Sequence, residues 1–496
     1  MSSQLILGPI LGLESDNLYT VCCVTDCDTE QVELRLRPGS EREERVTAMP
    51  VEDNDAGRFW RAERALDIPK QGESIAYCLS AAQTPLLDPF GNDEWAFYQP
   101  GREEKPKLAY ASCNGFSDEA LRTSTSSPYR LWREMAQAHA REPFALLLMG
   151  GDQVYADSIW TRVKTLGGWQ ELDLDTRIET QPDDLMRGQI AEFYARLYVE
   201  RWGQEPVAKM LASIPSVMMW DDHDIFDGWG SYPETLQNCP VFQAIYDGAA
   251  RFFRLYQLRS ATQNRSLLAP ESGHHAFGFR FRRYHLLAMD NRAERSIRQV
   301  MSAQQWNDLI AWLDRRDSDG DLLVMSAVPV VYRDFSVVEN FFDKTSNMEE
   351  LTDDLKDHWR AKSHEGERAR LIMRLLDNAQ KRQGGRTLIL SGDVHIGCLG
   401  VIRDKRSDNR VHQLVSSAIV HPTPSRVEWI GICAVTNDDT QYLDEDESIS
   451  IDMLRPHGSD KYLRTRNFAT LQEGTDRKLW INWVCENGEE PCYPLK

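Results

Sequence analysis

The sequence holds no stretch of about 18 apolar residues, which argues against a membrane-spanning helix. It also lacks an excess of positive charge: 57 Lys and Arg stand against 77 Asp and Glu, a net charge of −20. Without a basic face to displace counterions from phosphates, general nucleic-acid binding is excluded, and docking on anionic lipid is disfavoured. Such a charge favours solubility and leaves the oligomeric state open. The ten cysteines offer no paired C-x2-C spacing, so no zinc ribbon is expected. The opening residues MSSQLILGPILGLESD carry a short apolar run with no Lys or Arg ahead of it, broken by Gly and Pro. They predict a strand rather than a signal peptide, and with it reduced thiols and a cytoplasmic location. No P-loop, Gly-x-Ser-x-Gly elbow or dinucleotide fingerprint is present.

What is present is a globular composition, 41% apolar and 27% charged over 496 residues, enough for two or three domains. Residues 1–105 read as a small all-β sandwich domain. Runs such as Leu18–Val24 and Gly57–Leu66 are alternating, β-branched or aromatic, and turn clusters such as Arg37-Pro38-Gly39-Ser40 separate them. The polar segment Gln99–Pro106 reads as a linker. From Lys107 the pattern changes to short apolar strands alternating with helices, predicted over Arg130–Ala140, Leu185–Ile214, Phe242–Leu258 and Gln304–Asp314. Ser302 three residues before Gln305 predicts a helix cap. The fold class is therefore α/β, with sheets buried on both faces and flanked by helices over 106–435. Within it, 341–383 is predicted as an exposed, charged helical insertion ending at Gly384-Gly385, and 436–496 as a segment that completes the domain.

Each apolar run ends in polar residues. In order these are Cys113-Asn114, Asp152 with Tyr155, Asp221-Asp222-His223-Asp224, Asp290 with Arg292, and Asp393 with His395. Ligands bind at the carboxyl ends of strands in such folds. Carboxylates gathered in one cleft repel by about 4 kcal/mol per close pair at an intermediate dielectric. A bound cation relieves that repulsion, so the recurrence predicts a metal site. Asp393 and His395 alternate along an extended chain and so face one side.

Gly151-Asp152-Gln153-Val154-Tyr155, Trp220-Asp221-Asp222-His223-Asp224, Asp290-Asn291-Arg292, Ser302-Ala303-Gln304-Gln305-Trp306 and Ser391-Gly392-Asp393-Val394-His395, preceded by Ser112-Cys113, together resemble the PhoD-like (alkaline phosphatase D) metallophosphatases. These are a branch of the calcineurin-like phosphoesterases. The resemblance runs from about residue 108 to 420. It implies a central metallophosphoesterase β-sandwich flanked by helices, preceded by a small β-sandwich domain. It also implies hydrolysis of phosphomonoesters or phosphodiesters by a metal-bound hydroxide, with a small phosphate ester as substrate.

The same resemblance implies that Asp152 bridges two metals and that Cys113, Tyr155 and His395 hold ferric iron. Asp222 and Asp393 would hold a harder divalent ion such as calcium, with Zn2+ or Mn2+ as the alternatives in a reducing compartment. His223 would protonate the leaving group, and Arg292 would clasp the phosphoryl group unless it pairs with Asp290. Asn114, Asp157, Asp221, Asp224 and Asp290 are further candidates around the metals. Two rivals share the fold: a phosphotriesterase or other ester hydrolase, and a metal-binding regulator or scaffold without turnover.

Overall fold

The computed structural model describes residues 4–260, 264–315, 319–333, 359, 361, 363–382 and 384–496. Two large sheets face each other, with helices covering their outer faces. Three parallel strands, Leu108–Ala111, Leu146–Gly150 and Ser216–Met219, form the middle of a ten-stranded sheet. The second sheet has nine strands around a parallel set, Tyr284–Ala288, Asp321–Met325, Thr387–Ser391 and Asn409–Val415.

Strand periodicity explains the layers. Leu146 and Leu148 point inward and pack with Leu286, Leu323, Met325, Leu388 and Leu390 of the opposite sheet. Their neighbours Leu147 and Met149 point outward to Leu131, Trp132, Val207 and Met210 on the covering helices. Across the molecule, Val324 and Ile389 meet Trp306, Leu309, Leu371 and Leu375. Both faces of the central strands are therefore apolar, which is why their sequences show continuous rather than alternating runs.

From residue 4 to residue 99 the chain is all β, but its strands divide between two sheets. Leu7–Leu13 pairs in parallel with Ser216–Met219, and Leu18–Thr25, Gly57–Ala65 and Met49–Asn54 continue the ten-stranded sheet outward. Glu33–Leu36, Glu44–Thr47, Glu73–Ala81, Thr84–Pro85 and Glu94–Gln99 make a five-stranded sheet of their own. The break in sequence pattern near residue 105 is therefore not a break in the sheet. On the other edge, Asn467–Glu473 pairs antiparallel with Leu108–Ala111, followed by Leu479–Cys485 and Cys492–Leu495.

The helix predicted over Leu185–Ile214 is two helices, Asp184–Trp202 and Glu205–Ser213. Gly203 closes the first and Pro206 occupies the first turn of the second, where its missing N–H costs nothing. Of the charged stretch 341–383, residues 341–358, 360, 362 and 383 lie outside the described residues. The part that is described is no exposed appendage: the helix Glu365–Lys381 buries Leu371, Ile372, Leu375 and Leu376 against the nine-stranded sheet. Apart from the buried Arg368, its charges occupy the other face, so composition alone hid the apolar stripe. Among the described residues, no helix is long and apolar enough to cross a membrane.

Candidate metal centre

The parallel strands of both sheets deliver their carboxyl-end loops to one place. Cys113, Asp152 and His395 offer donor atoms that all lie within 4.8 Å of one another, as do Asp152, Asp222 and His223, and again Asp221, Asp222 and Asp393. Asp152 and Asp222 each belong to two of these groups. The Tyr155 hydroxyl lies 3.1 Å from His395 Nε2 and 3.4 Å from Asp152 Oδ2. All six residues expected as ligands, Cys113, Asp152, Tyr155, Asp222, Asp393 and His395, are thus brought together.

The backbone is bent to achieve this. Cys113, Asp152, Tyr155, Asp393 and His395 all have φ between 51° and 67°, in the left-handed region. Each such residue costs about 1 kcal/mol or more, and such strain gathers where surrounding structure imposes a function. Gly151, at φ 111°, makes the turn before Asp152, and a Cβ there would meet the Asp221 side chain at 2.8 Å. Gly115 leaves room for the Tyr155 ring, which a Cβ would approach to 2.5 Å. The Cys113 loop is tied down from far along the chain: the N–H of Ile419 donates to Ser112 O at 3.0 Å, and the N–H of His421 to Cys113 O at 3.2 Å.

The electrostatics are those of a cluster awaiting positive charge. Burial pushes the Asp152 carboxyl well above the usual carboxylate range; His223 opposes the shift, and Asp221, Asp222 and Asp224 add to it. Burial likewise raises the Cys113 thiol and the Tyr155 phenol well above their ordinary values. Burial keeps the His395 imidazole neutral, helped by His421 and His223. Asp152 Oδ1 is buried with no hydrogen-bond partner among the described residues. Buried oxygens are normally satisfied, so an orphaned carboxylate oxygen facing donor atoms fits a cation. The donors divide by softness. Thiol, phenol and imidazole surround one side of Asp152, suiting ferric iron or zinc, whereas Asp221, Asp222 and Asp393 are all oxygen donors.

The flanking candidates have structural partners. Both carboxylate oxygens of Asp157 lie 3.0 Å from His223 Nδ1, and the imidazole stacks on Tyr155 with centroids 4.4 Å apart. Burial works against charge on His223, but Asp157 and Asp222 outweigh it and hold its pKa well above the ordinary value. Asp224 accepts the N–H groups of Gln153, Val154 and Asp221 at 2.8–3.1 Å, locking two of the loops together. Asn114 accepts from Trp132 Nε1 at 2.8 Å and donates to Gln153 O at 3.3 Å. Asp290 accepts from His275, Trp220, Ala293 and the Arg292 backbone. Gln305, beyond the Ser302 cap, grips the Asp290 backbone with both ends of its amide, at 2.9 and 3.1 Å.

Arg292 departs from expectation. Its guanidinium is wholly buried, donates to Asp221 through Nε, lies 3.3 Å from Asp222 Oδ1 and donates to Trp229 O at 3.1 Å. Two buried carboxylates beside it capture the fork, so in this arrangement it sets those carboxylates rather than reaching outward for a phosphoryl group. Neither does it pair through its side chain with Asp290; that link is the backbone N–H. One residue at the centre was not anticipated. His421 stacks on His395 with centroids 3.8 Å apart and on Tyr155 at 5.3 Å, and its Nε2 lies 3.3 Å from Ser117 Oγ. The apolar run Ala418–Val420 ending in a polar residue was the available signal.

Two helix-flanked sheets with metal-type donors at their carboxyl ends define a metallophosphatase fold, and solved structures share it. The structure of PhoD superposes with a TM-score of 0.63 at 13% identity, covering 99% of this chain and 89% of that one. A purple acid phosphatase from yellow lupin seeds gives 0.54 at 10% identity, covering 98% and 74%. Residues 87–350 and 344–443 match the PhoD-related phosphatases, and the chain belongs to that family. An uncharacterized protein of Saccharomyces cerevisiae, YGR266W, is 28% identical over 408 residues, 70% of this chain. The chain spans 56% of the length of that relative.

Proposed function

We propose that this chain is a metal-dependent phosphoesterase acting on small phosphomonoesters or phosphodiesters. The observation that carries it is the buried Asp152 carboxylate, its Oδ1 without a hydrogen-bond partner among the described residues, shared between two groups of metal-type donors in a chain of phosphatase family. Cys113, Tyr155 and His395 would hold one cation with Asp152, and Asp222 and Asp393 a second. Iron with calcium suits the donors best, and zinc or manganese are the alternatives. Such ions supply polarisation of a phosphate oxygen and a water of lowered pKa.

The chain's own residues provide the rest. Asp157 holds a proton on His223 Nδ1 and fixes the ring, leaving Nε2 to donate toward a departing alkoxide. Arg292 keeps Asp221 and Asp222 aimed into the cleft.

The test is elemental analysis of purified wild type and Asp152→Asn, with turnover of p-nitrophenyl phosphate and bis-p-nitrophenyl phosphate measured in parallel. Two metals per chain and hydrolysis of either ester in wild type, both lost in the variant, is the expected result. Metal without turnover would instead favour a binding scaffold, and absence of metal would overturn the proposal.

A further inference from the structure

The molecule also holds a cavity of 620 Å³ lined by five cationic side chains and two carboxylates, in a chain whose net charge is −20. Chain segments leaving the metal centre build it. The helix Arg426–Val435 starts five residues after His421, and Tyr462 pairs across Cys398, three residues beyond His395.

Three of the cations have structural work. Arg333 is buried and donates to Thr436 at 2.6 and 3.1 Å; Lys461 pairs with Asp438 at 3.1 Å, and Arg455 with Asp460 at 2.7 Å. The other two, Arg426 and Arg464, make no hydrogen bond, ion pair or ring contact among the described residues. One wall is aromatic: Trp429 and Tyr462 pack with centroids 5.2 Å apart, and Arg333 lies over both rings.

We infer that this cavity is a second anion subsite, and that the preferred substrate is a phosphate ester whose leaving group carries a further phosphate on a flat, ring-bearing scaffold. The inference rests on the phosphoesterase reading of the metal centre. Two guanidinium forks without partners match the geometry and charge of a phosphate. The Trp429 and Tyr462 rings, inclined at 54° to each other, offer a ring edge-to-face or stacked contact at little conformational cost. A phosphate held there enters a region of net positive charge, while the rest of the surface repels anions.

The experiment compares wild type with Arg426→Ala/Arg464→Ala on p-nitrophenyl phosphate and on adenosine 3′,5′-bisphosphate, using metal-loaded protein. Calorimetric binding of the bisphosphate is measured alongside turnover. Both arginines are exposed, so the fold tolerates the change. The expected result is a loss of about 10- to 100-fold in kcat/KM and affinity for the bisphosphate, from one or two charged hydrogen bonds, with p-nitrophenyl phosphate turnover unchanged. Equal losses on both substrates, or none on either, overturn the subsite. Binding of the bisphosphate by wild type alone, with no turnover of either compound, upholds the subsite and overturns the phosphoesterase reading.

Discussion

Two of the places where the molecule buries ionisable groups treat them in opposite ways. In the N-terminal strands, Glu14 is sealed inside the protein and answered on each oxygen. Arg61 donates to Oε1 at 2.7 Å, the Arg265 N–H donates to Oε2 at 2.9 Å, and Glu63 takes a second branch of Arg61 at 2.8 Å. At the metal centre, Asp152, Asp221, Asp222 and Asp224 crowd together with Arg292 as their guanidinium, and an oxygen of Asp152 is left over. The first network is complete within the chain; the second is complete only with something added. That contrast separates a buried charge that holds a fold from one that serves a ligand, and burial alone does not distinguish them.

Breaking the closed network should give the largest effect. Glu14→Ala leaves Arg61 buried without its main partner and should cost about 3–5 kcal/mol of unfolding free energy by denaturant titration, with metal content per folded chain unchanged. Loss of metal at full stability would show that the two regions are not independent.

Next comes the dyad at the rim of the open network. Asp157→Asn should lower kcat by about 10- to 100-fold, within the usual range for proton transfer, while metal content stays at the wild-type level. A fall in bound metal equal to the fall in rate would move Asp157 into the metal-holding set.

A smaller effect of opposite sign tests the open network itself. In metal-stripped protein, Asp152→Asn should raise stability by about 1 kcal/mol, because it removes a carboxylate that burial and its neighbours disfavour. In metal-loaded protein the same change should lower the melting temperature. Destabilisation in both states would mean that the Asp152 cluster, too, is closed.

The last test concerns a half-buried group in neither network, whose protonation penalty vanishes at neutral pH. Burial pushes His139 down to about 4, and its Nδ1 accepts the Phe144 N–H at 3.1 Å, which requires a bare nitrogen. The unfolded chain binds this proton near pH 6.5 and the folded chain only near 4. The contribution is therefore fully present above about 6.5 and fades as pH falls toward 4. His139→Gln should flatten the dependence of melting temperature on pH in that window; an unchanged slope would assign it to other groups.

Most of the candidate site was legible from sequence because its chemistry is local. A short apolar strand must end, and the two or three polar residues after it face the cleft, so Asp152 with Tyr155, or Asp393 with His395, announce themselves within five positions. The alternation of strands and helices likewise carried the two-sheet core. What stayed hidden depends on distant partners. Nothing near Leu7–Leu13 says that its neighbour is Ser216–Met219, and so the N-terminal strands read as a unit apart. Arg292 looked like a phosphate clamp because the carboxylates that capture it lie some 70 positions away. His421 carried no motif, since its role comes from stacking on residues contributed by two other loops.

The clamp on the Cys113 loop also bears on the order of assembly. Its fastening comes from residues 419–421, and the Ser117–His421 contact spans 304 positions. Closing so long a loop is entropically slow and must precede the contacts that reward it. On a ribosome, the strand bearing Cys113 emerges long before its fastening exists. The centre is therefore completed late: the Cys113 loop reaches its final form only after residues 419–421 have been made and folded against it.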